Sequence, residues 1–126
     1  MKIVLAVALG GALGALGRYW TGALVGQWLG TAFPYGTLIV NVVGCFVMGL
    51  LIEASALFWS PSEALRAFIA VGLLGAFTTF SSFSMDFALL MGRGALVPAV
   101  TYLLASVLLS IAGLYAGLAL IRVVAP

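Results

Sequence analysis

The chain has 126 residues, of which 65% are hydrophobic and 6% charged, and its mean hydropathy is +1.32. A soluble domain must cover its apolar core with polar side chains, and this chain has too few of them. The composition therefore excludes a soluble globular protein and predicts an all-α integral membrane protein. Since one spanning helix needs roughly 20 apolar residues, the length allows about four of them. We expect one transmembrane domain over residues 1–126.

The scarce charged and metal-binding residues exclude several kinds of function. Five basic and three acidic residues give a net charge of +2, and the basic residues are spread along the chain. They form neither a nucleic-acid-binding stripe nor a polybasic lipid-binding patch. The chain has no histidine and a single cysteine, Cys45, so a Cys/His metal site, a histidine-based triad and an internal disulfide are excluded. No nucleophile, base and orienting group can be assembled, and we do not expect an enzyme.

Turn residues separate four apolar segments, each of which predicts a transmembrane helix. Pro34 and Pro61 mark two of the separators, and Ser60 followed by Glu63 resembles a capping box at the start of the third helix. The predicted spans cover about residues 3–29, 36–58, 62–91 and 95–124.

The third span is too long to be one straight helix. At about 30 residues it would reach roughly 45 Å, beyond a hydrocarbon core of about 30 Å. Small residues such as Gly72 and Gly75 hold helix geometry weakly, and hydroxyls can satisfy freed backbone groups. We therefore predict a break near residues 75–80.

Hydroxyls and phenyl rings alternate in this third span. In hydrocarbon each polar group needs a partner, so such a cluster indicates a function. Phe80 and Phe83 lie three residues apart and share a face if the segment after the break is helical. Phenylalanine in a membrane usually packs against lipid or core, but phenyl edges carry partial positive charge and can line the path of an anion. The interleaved hydroxyls favour the second interpretation and belong to Thr78, Thr79, Ser81 and Ser82.

Other polar residues within the spans allow two interpretations each. Arg18 can snorkel to the headgroups or reach an interface, a partner or an anion. Asn41, one turn before Gly44 and Cys45, can join two helices by its amide or donate to an ion. Tyr102, Ser106 and Ser110 recur at i, i+4 and i+8 of the fourth span and form one stripe of hydroxyls, although a serine can also bond to the carbonyl four residues earlier.

Two further patterns concern assembly. Lys2, Arg66 and Arg122 fall at one end of a four-helix protein, whereas Arg18 and Arg93 fall at the other. So small a bias allows insertion in both orientations and pairing with an inverted copy, and a weak preference for one orientation is the alternative. Three GxxxG spacings allow close helix contacts and suggest a packed oligomer. They are formed by Gly10 and Gly14, Gly22 and Gly26, and Gly113 and Gly117.

The polar groups inside the spans are a cation, an amide, hydroxyls and ring edges. The acids Glu53 and Asp86 lie toward helix ends, where we expect them to face headgroups or vestibules. Hydrogen-bond donors therefore outnumber acceptors. This set suits a small, strongly hydrated anion whose water must be replaced by donors. The residues by themselves predict an anion pathway in a small helical oligomer.

Three motifs carry a resemblance to a known family. They are Gly10-Gly11-Ala12-Leu13-Gly14 with Arg18-Tyr19, then Gly36-Thr37-Leu38-Ile39-Val40-Asn41-Val42-Val43-Gly44, then residues 72–83 from Gly72 through the Thr/Ser run to Phe83. Over essentially its whole length the chain resembles the Fluc (CrcB) family of dual-topology fluoride channels. The resemblance implies an antiparallel homodimer with two pores, passive fluoride export across the inner membrane that protects a bacterial cell, and a structural sodium ion at the dimer centre.

The resemblance also implies roles by matching position. Phe80 and Phe83 would contact fluoride by their ring edges, and Asn41 would donate its amide. The remaining fluoride pathway would comprise Ser106, Ser110, Tyr102, Thr79 and Ser82. Arg18 would lie in a vestibule or brace the dimer, and the backbone carbonyls of Gly75 and Thr78 would hold the sodium. Ser82 stands where the family often has threonine, which keeps the hydroxyl and removes a methyl group.

Two other functions remain as alternatives. A small proton-coupled multidrug exporter has a similar size but needs a carboxylate in the middle of the first span, where this chain has Arg18 and no acid. A non-transporting assembly subunit would explain the GxxxG spacings but not the hydroxyls and rings of the third span.

Overall fold

The computed structural model describes residues 1–125, which are helical apart from short connections. In chain order the elements are α1 (Lys2–Leu29), α2 (Tyr35–Leu57), α3 (Glu63–Arg66), a π-helical segment (Ala67–Leu74), α4 (Gly75–Phe77), α5 (Phe80–Gly92) and α6 (Leu96–Val124). The residues from Glu63 to Gly92 form one segment of spanning length, and α1, α2 and α6 are the other three. The expectation of an all-helical, multi-pass membrane protein with four such segments is confirmed.

The connections follow local backbone rules. Gly30 after α1 and Gly94 before α6 have φ angles of 77° and 71°, a region that favours glycine. The third segment starts later than the capping box at Ser60 predicted, because the hydroxyl of Ser62 accepts the Leu65 N–H at 3.2 Å. Ser62 therefore caps this helix in place of Ser60.

Helix α1 packs against the π-helical segment and α4 through backbone contacts at glycines. A Cβ atom added to Gly10 would collide with the carbonyl oxygen of Phe68, and one added to Gly14 would collide with that of Leu73. From the other side, a Cβ on Gly72 would lie 2.8 Å from the carbonyl oxygen of Val7. We call this contact the α1 seam. Its close approach depends on the missing side chains.

Helices α2 and α6 pack along each other in the same manner. Gly49 faces the backbone of Leu114, and Gly117 faces the backbone of Phe46, so that a Cβ on either glycine would clash. Gly22 lies beside Gly36 at the start of α2. The first and last GxxxG spacings therefore serve contacts within the subunit, and the packed oligomer that the three spacings suggest stays a prediction.

The buried core is small and lies between α5 and α6. It consists of Phe83, Leu90, Ala99 and Tyr102, with Phe33 packed against it. Val40, Leu51 and Leu74 are also buried, but many large apolar side chains elsewhere are exposed, and Trp28 is 85% exposed. Such a surface suits a lipid environment, where apolar side chains need no cover.

Candidate functional site

The third segment changes conformation at Thr78 and Thr79. Both residues are extended, with φ/ψ angles of −81°/155° and −154°/117°, whereas Phe77 ends α4 and Phe80 begins α5. The hydroxyl of Thr79 accepts the N–H of Ser82 at 3.1 Å and thereby caps α5. Two residues of extended backbone thus separate α4 from α5.

Asn41 on α2 binds this extended backbone with both ends of its amide. Its Nδ2 donates to the carbonyl of Thr79 at 3.1 Å, and its Oδ1 accepts the N–H of Thr79 at 2.7 Å. Gly44, one turn on, lets the methyl group of Thr78 approach α2, because a Cβ there would overlap it. One amide hydrogen of Asn41 remains for another acceptor. The side chain therefore joins two helices and can still donate.

Because of these hydrogen bonds, two backbone carbonyls lack the N–H donor that each would have in a continuous α-helix. In an α-helix the N–H of Thr79 would bind the carbonyl of Gly75, but it donates to Asn41. The N–H of Ser82 would bind the carbonyl of Thr78, but it donates to the Thr79 hydroxyl. Both carbonyl oxygens are neutral, hard ligands of the kind that an alkali cation accepts. The residues expected to hold sodium therefore have the chemistry to do so.

A cleft of about 270 Å³ lies between α2, the extended residues, α5 and α6. Most residues that the sequence singled out line it, although they come from three different spans. The lining residues are Asn41, Cys45, Thr78, Thr79, Phe80, Phe83, Ser106, Val107, Ser110 and Ile111. None of them carries a formal charge, so the walls consist of hydroxyl, amide and thiol groups, ring surfaces and aliphatic side chains.

The two phenyl rings of the cleft have opposite environments. Their centroids are 5.3 Å apart with an interplanar angle of 56°. Phe83 is 6% exposed and packs on the ring of Tyr102, whereas Phe80 is 78% exposed. One wall of the cleft is therefore fixed in the core and the other lies on the surface of the subunit.

The two serines of α6 keep their hydroxyls free. Within residues 1–125 the Oγ atoms of Ser106 and Ser110 are enclosed and have no hydrogen-bond partner. A hydroxyl that could bond to the carbonyl four residues earlier does not do so here. Since a buried unpaired hydroxyl is costly, this arrangement calls for a ligand or water.

Tyr102 continues the stripe of α6 but does not line the cleft. Its hydroxyl donates to Oδ2 of Asp86 at 3.0 Å, and its ring lies edge-on to Phe33 with centroids 5.6 Å apart. Asp86 is thus half-buried and bonded inside the subunit. Glu53 is 9% exposed and accepts from Arg122 at 2.6 Å. Each acid thus has a hydrogen-bond partner from α6 and neither lines the cleft, and the expectation that both face headgroups or vestibules stays a prediction.

Four sequence-selected residues lie outside the lining of the cleft. Ser82 bonds to Thr79 through its hydroxyl, Gly75 begins α4, and Tyr102 packs on Phe83. Arg18 is half-buried on α1, and no hydrogen bond or ion pair is recorded for it within residues 1–125. A group of three or more His, Cys, Asp or Glu residues that could hold a metal is also absent from this range.

Three lining residues were not assigned a site role from the sequence. Cys45 lies four residues after Asn41, and Val107 and Ile111 each follow a stripe serine. The spacing of Cys45 from Asn41 places both on one face of α2. This spacing is the sequence signal that could have identified Cys45 as a lining residue.

The sequence matches known proteins along nearly its full length. A family described as CrcB-like protein, camphor resistance (CrcB), matches residues 5–118. A protein of Rhodospirillum centenum named fluoride-specific ion channel FluC is 60% identical over 122 residues, 97% of this chain and 97% of its own length. Proteins of the same name from Chelativorans sp. and Nitrobacter winogradskyi are 53% and 46% identical, over 97% and 96% of this chain and 98% and 96% of their own lengths. The chain therefore belongs to the CrcB family.

Proposed function

We propose that the protein is a fluoride-selective channel that lets fluoride leave a bacterial cell passively through the inner membrane. The observation that carries this proposal is the cleft that joins Asn41, the two phenyl rings and two unpaired serine hydroxyls. The relatives named as fluoride-specific ion channels support it. Their name is that of a channel and not of an enzyme, in keeping with a transport function.

The chemistry of the cleft favours a small anion over a cation or a drug. A free amide hydrogen of Asn41 and the hydroxyls of Ser106 and Ser110 can replace part of an anion's hydration shell. Ring edges of Phe80 and Phe83 add weak positive potential without a formal charge that would trap the ion. No carboxylate belongs to the lining, so an anion meets no opposing charge there.

Thr79 in the lining, with Ser82 and Tyr102 behind the lining, completes the proposed pathway. Thr79 presents its hydroxyl at the cleft and shares it with Ser82, at 3.2 Å between the two oxygens. Tyr102 supports the ring of Phe83 from behind. Arg18, on α1, would attract anions at a vestibule or brace the assembly.

An antiparallel homodimer would complete the site. Phe80 lines the cleft and is 78% exposed, so the subunit alone leaves one wall open. The nearly even distribution of basic residues between the two ends allows both orientations. A second, inverted copy would bury Phe80 and supply the missing wall of the pathway.

The extended residues Thr78 and Thr79 support the proposal that the third span is a broken helix. The carbonyl oxygens of Gly75 and Thr78 would hold a structural sodium ion at the dimer centre, together with those of the second copy. When bound, the ion would supply a positive charge that these neutral carbonyl oxygens coordinate. The chain itself supplies the free carbonyls through the bonds of Thr79 to Asn41 and to Ser82.

The two alternatives have less support. For an exporter that exchanges protons, the cleft would need a carboxylate in its wall, and its lining contains none. For an assembly subunit, the glycine spacings should lie free on the surface, but Gly10, Gly14 and Gly117 are buried within the subunit.

Fluoride efflux from liposomes tests the proposed function. Purified protein is placed in vesicles loaded with fluoride, and a potassium gradient with valinomycin drives efflux onto a fluoride electrode, with chloride as the control ion. We expect rapid loss of fluoride and no loss of chloride. Phe80→Ile and Phe83→Ile should each strongly reduce the fluoride rate while the protein remains a dimer on a sizing column. If neither ion leaves vesicles that contain dimeric protein, the proposed function is wrong.

A further inference from the structure

Cys45 places a thiol in the wall of the cleft. It lies on α2 one turn after Asn41, is half-buried, and lines the cleft with the serines of α6. It is the single cysteine of the chain. A thiol-specific reagent would therefore modify the protein at the proposed pathway and at no other residue.

A second observation shows that the cleft beside Cys45 can receive a ligand. Ser106 is 5% exposed and Ser110 is half-buried, yet within residues 1–125 the oxygen of neither side chain has a hydrogen-bond partner. The volume of about 270 Å³ is several times the roughly 30 Å³ that one molecule of liquid water occupies. The space beside the thiol can thus hold a small group and is not filled by the protein.

We propose that Cys45 is a regulatory modification site, at which small, uncharged thiol-reactive compounds close the channel. The inference rests on the proposed function, because closure is defined by the loss of fluoride flux. The uncharged walls favour a neutral reagent, which also dissolves in the bilayer and reaches the cleft from either face.

Methyl methanethiosulfonate is a suitable probe of this site. The thiol of Cys45 loses its proton to water, and the thiolate attacks the sulfur atom that carries the methyl group of the reagent. A new S–S bond forms, the bond to the sulfonyl sulfur breaks, and methanesulfinate leaves with the electron pair. The product carries S–CH₃ on Cys45, and a thiol reductant restores the free thiol.

The added group changes the cleft in two ways. It occupies part of the volume between Cys45 and the serines, and it places a methyl group where an ion would contact Asn41 and the free hydroxyls. Without those hydrogen-bond donors, an ion that lost its hydration water would gain no protein hydrogen bonds in its place. An ion that kept its water would have to pass hydrated. We expect the fluoride rate to fall by about tenfold or more, since hydrogen bonds to a charged group are lost.

The experiment compares the wild type with Cys45→Ala and Cys45→Ser in the same fluoride-loaded vesicles. Each protein is measured against its own untreated rate, then after the reagent, then after dithiothreitol, and the mass of the intact subunit is determined at each stage. We expect one S–CH₃ group per wild-type subunit, a lower fluoride rate, and recovery after reduction. Both variants should gain no mass and keep their own untreated rates.

Two results would overturn the inference. Wild-type protein that conducts fluoride but gains no mass would show that the thiol does not react in the cleft, and complete labelling with an unchanged rate would show that Cys45 does not border the path. An untreated wild type that carries no fluoride would instead refute the proposed function and, with it, any regulation of flux by Cys45. The untreated rate and the mass therefore separate the two failures.

Discussion

The α1 seam and the cleft show opposite ways of packing helices in this protein. At the seam, Gly10, Gly14 and Gly72 bring backbones together so closely that a single added carbon would collide. At the cleft, α2, α5 and α6 leave about 270 Å³ open and keep the hydroxyls of two serines unpaired. The seam contains no polar side chain of its own, whereas the cleft collects the polar side chains of three spans.

The difference has a physical reason. Within lipid, apolar side chains gain little by leaving the solvent, so helices associate through close packing and hydrogen bonds. Close contacts at glycines provide that packing, between α1 and the third span and between α2 and α6. Because the close contacts elsewhere stabilise the fold, the cleft can contain polar groups without hydrogen-bond partners, although such groups reduce stability. We infer that the seam stabilises the subunit and that the cleft serves transport.

The largest effect is expected at the seam. Gly14→Leu would force a side chain into the carbonyl of Leu73, and overpacking of this kind costs about 1–3 kcal/mol or more. We expect little monodisperse protein after extraction in detergent. The matched control is Gly11→Leu on the same helix, since an added Cβ at Gly11 meets no atom within 4 Å. Equal yields of the two variants would contradict the role of the seam.

The next largest effect is expected where the cleft meets the backbone. Asn41→Asp removes the donor to the Thr79 carbonyl and places a carboxylate at the pathway. A buried acceptor left unpaired costs about 1–3 kcal/mol, and the negative charge repels an anion. Fluoride efflux should fall to the rate of empty vesicles, and the thermal midpoint in detergent should also fall. Normal efflux would leave Asn41 as a link between helices and no more.

A smaller effect should distinguish transport from stability. Ser106→Ala removes a hydroxyl that has no partner within residues 1–125, so the thermal midpoint should stay the same or rise. Fluoride efflux should fall by several-fold, because one donor is lost. Ser55→Ala is the control, since the Ser55 hydroxyl donates only to the carbonyl of Leu51 on the same helix. A lower midpoint with unchanged efflux in Ser106→Ala would assign this serine to packing.

The smallest effect is expected at the ion pair between α2 and α6. Arg122→Met leaves the buried carboxylate of Glu53 without its partner, so the thermal midpoint should fall by less than in Gly14→Leu. Fluoride efflux should remain normal, because neither residue lines the cleft. The exchanged pair Glu53→Arg with Arg122→Glu should regain part of the midpoint. Loss of efflux at an unchanged midpoint would place this pair in the transport pathway and contradict the division between the two regions.

The sequence by itself determined the features that depend on neighbouring residues. Apolar run length predicted four spanning helices because each helix satisfies its own backbone in lipid. Helical spacing placed Ser106 and Ser110 on one face of α6, and both line the cleft. The roles of these residues in transport stay predictions until efflux is measured.

Only the tertiary structure decided which partner each polar group takes. Asn41 and Thr79 are 38 residues apart and bond twice, and Tyr102 turns to Asp86, 16 residues away, although its spacing matches the stripe of α6. The glycine spacings look alike in the sequence, yet Gly10 and Gly14 meet the third span of the same subunit. Local periodicity fixes the face on which a side chain lies, whereas its partner depends on which helix packs against that face.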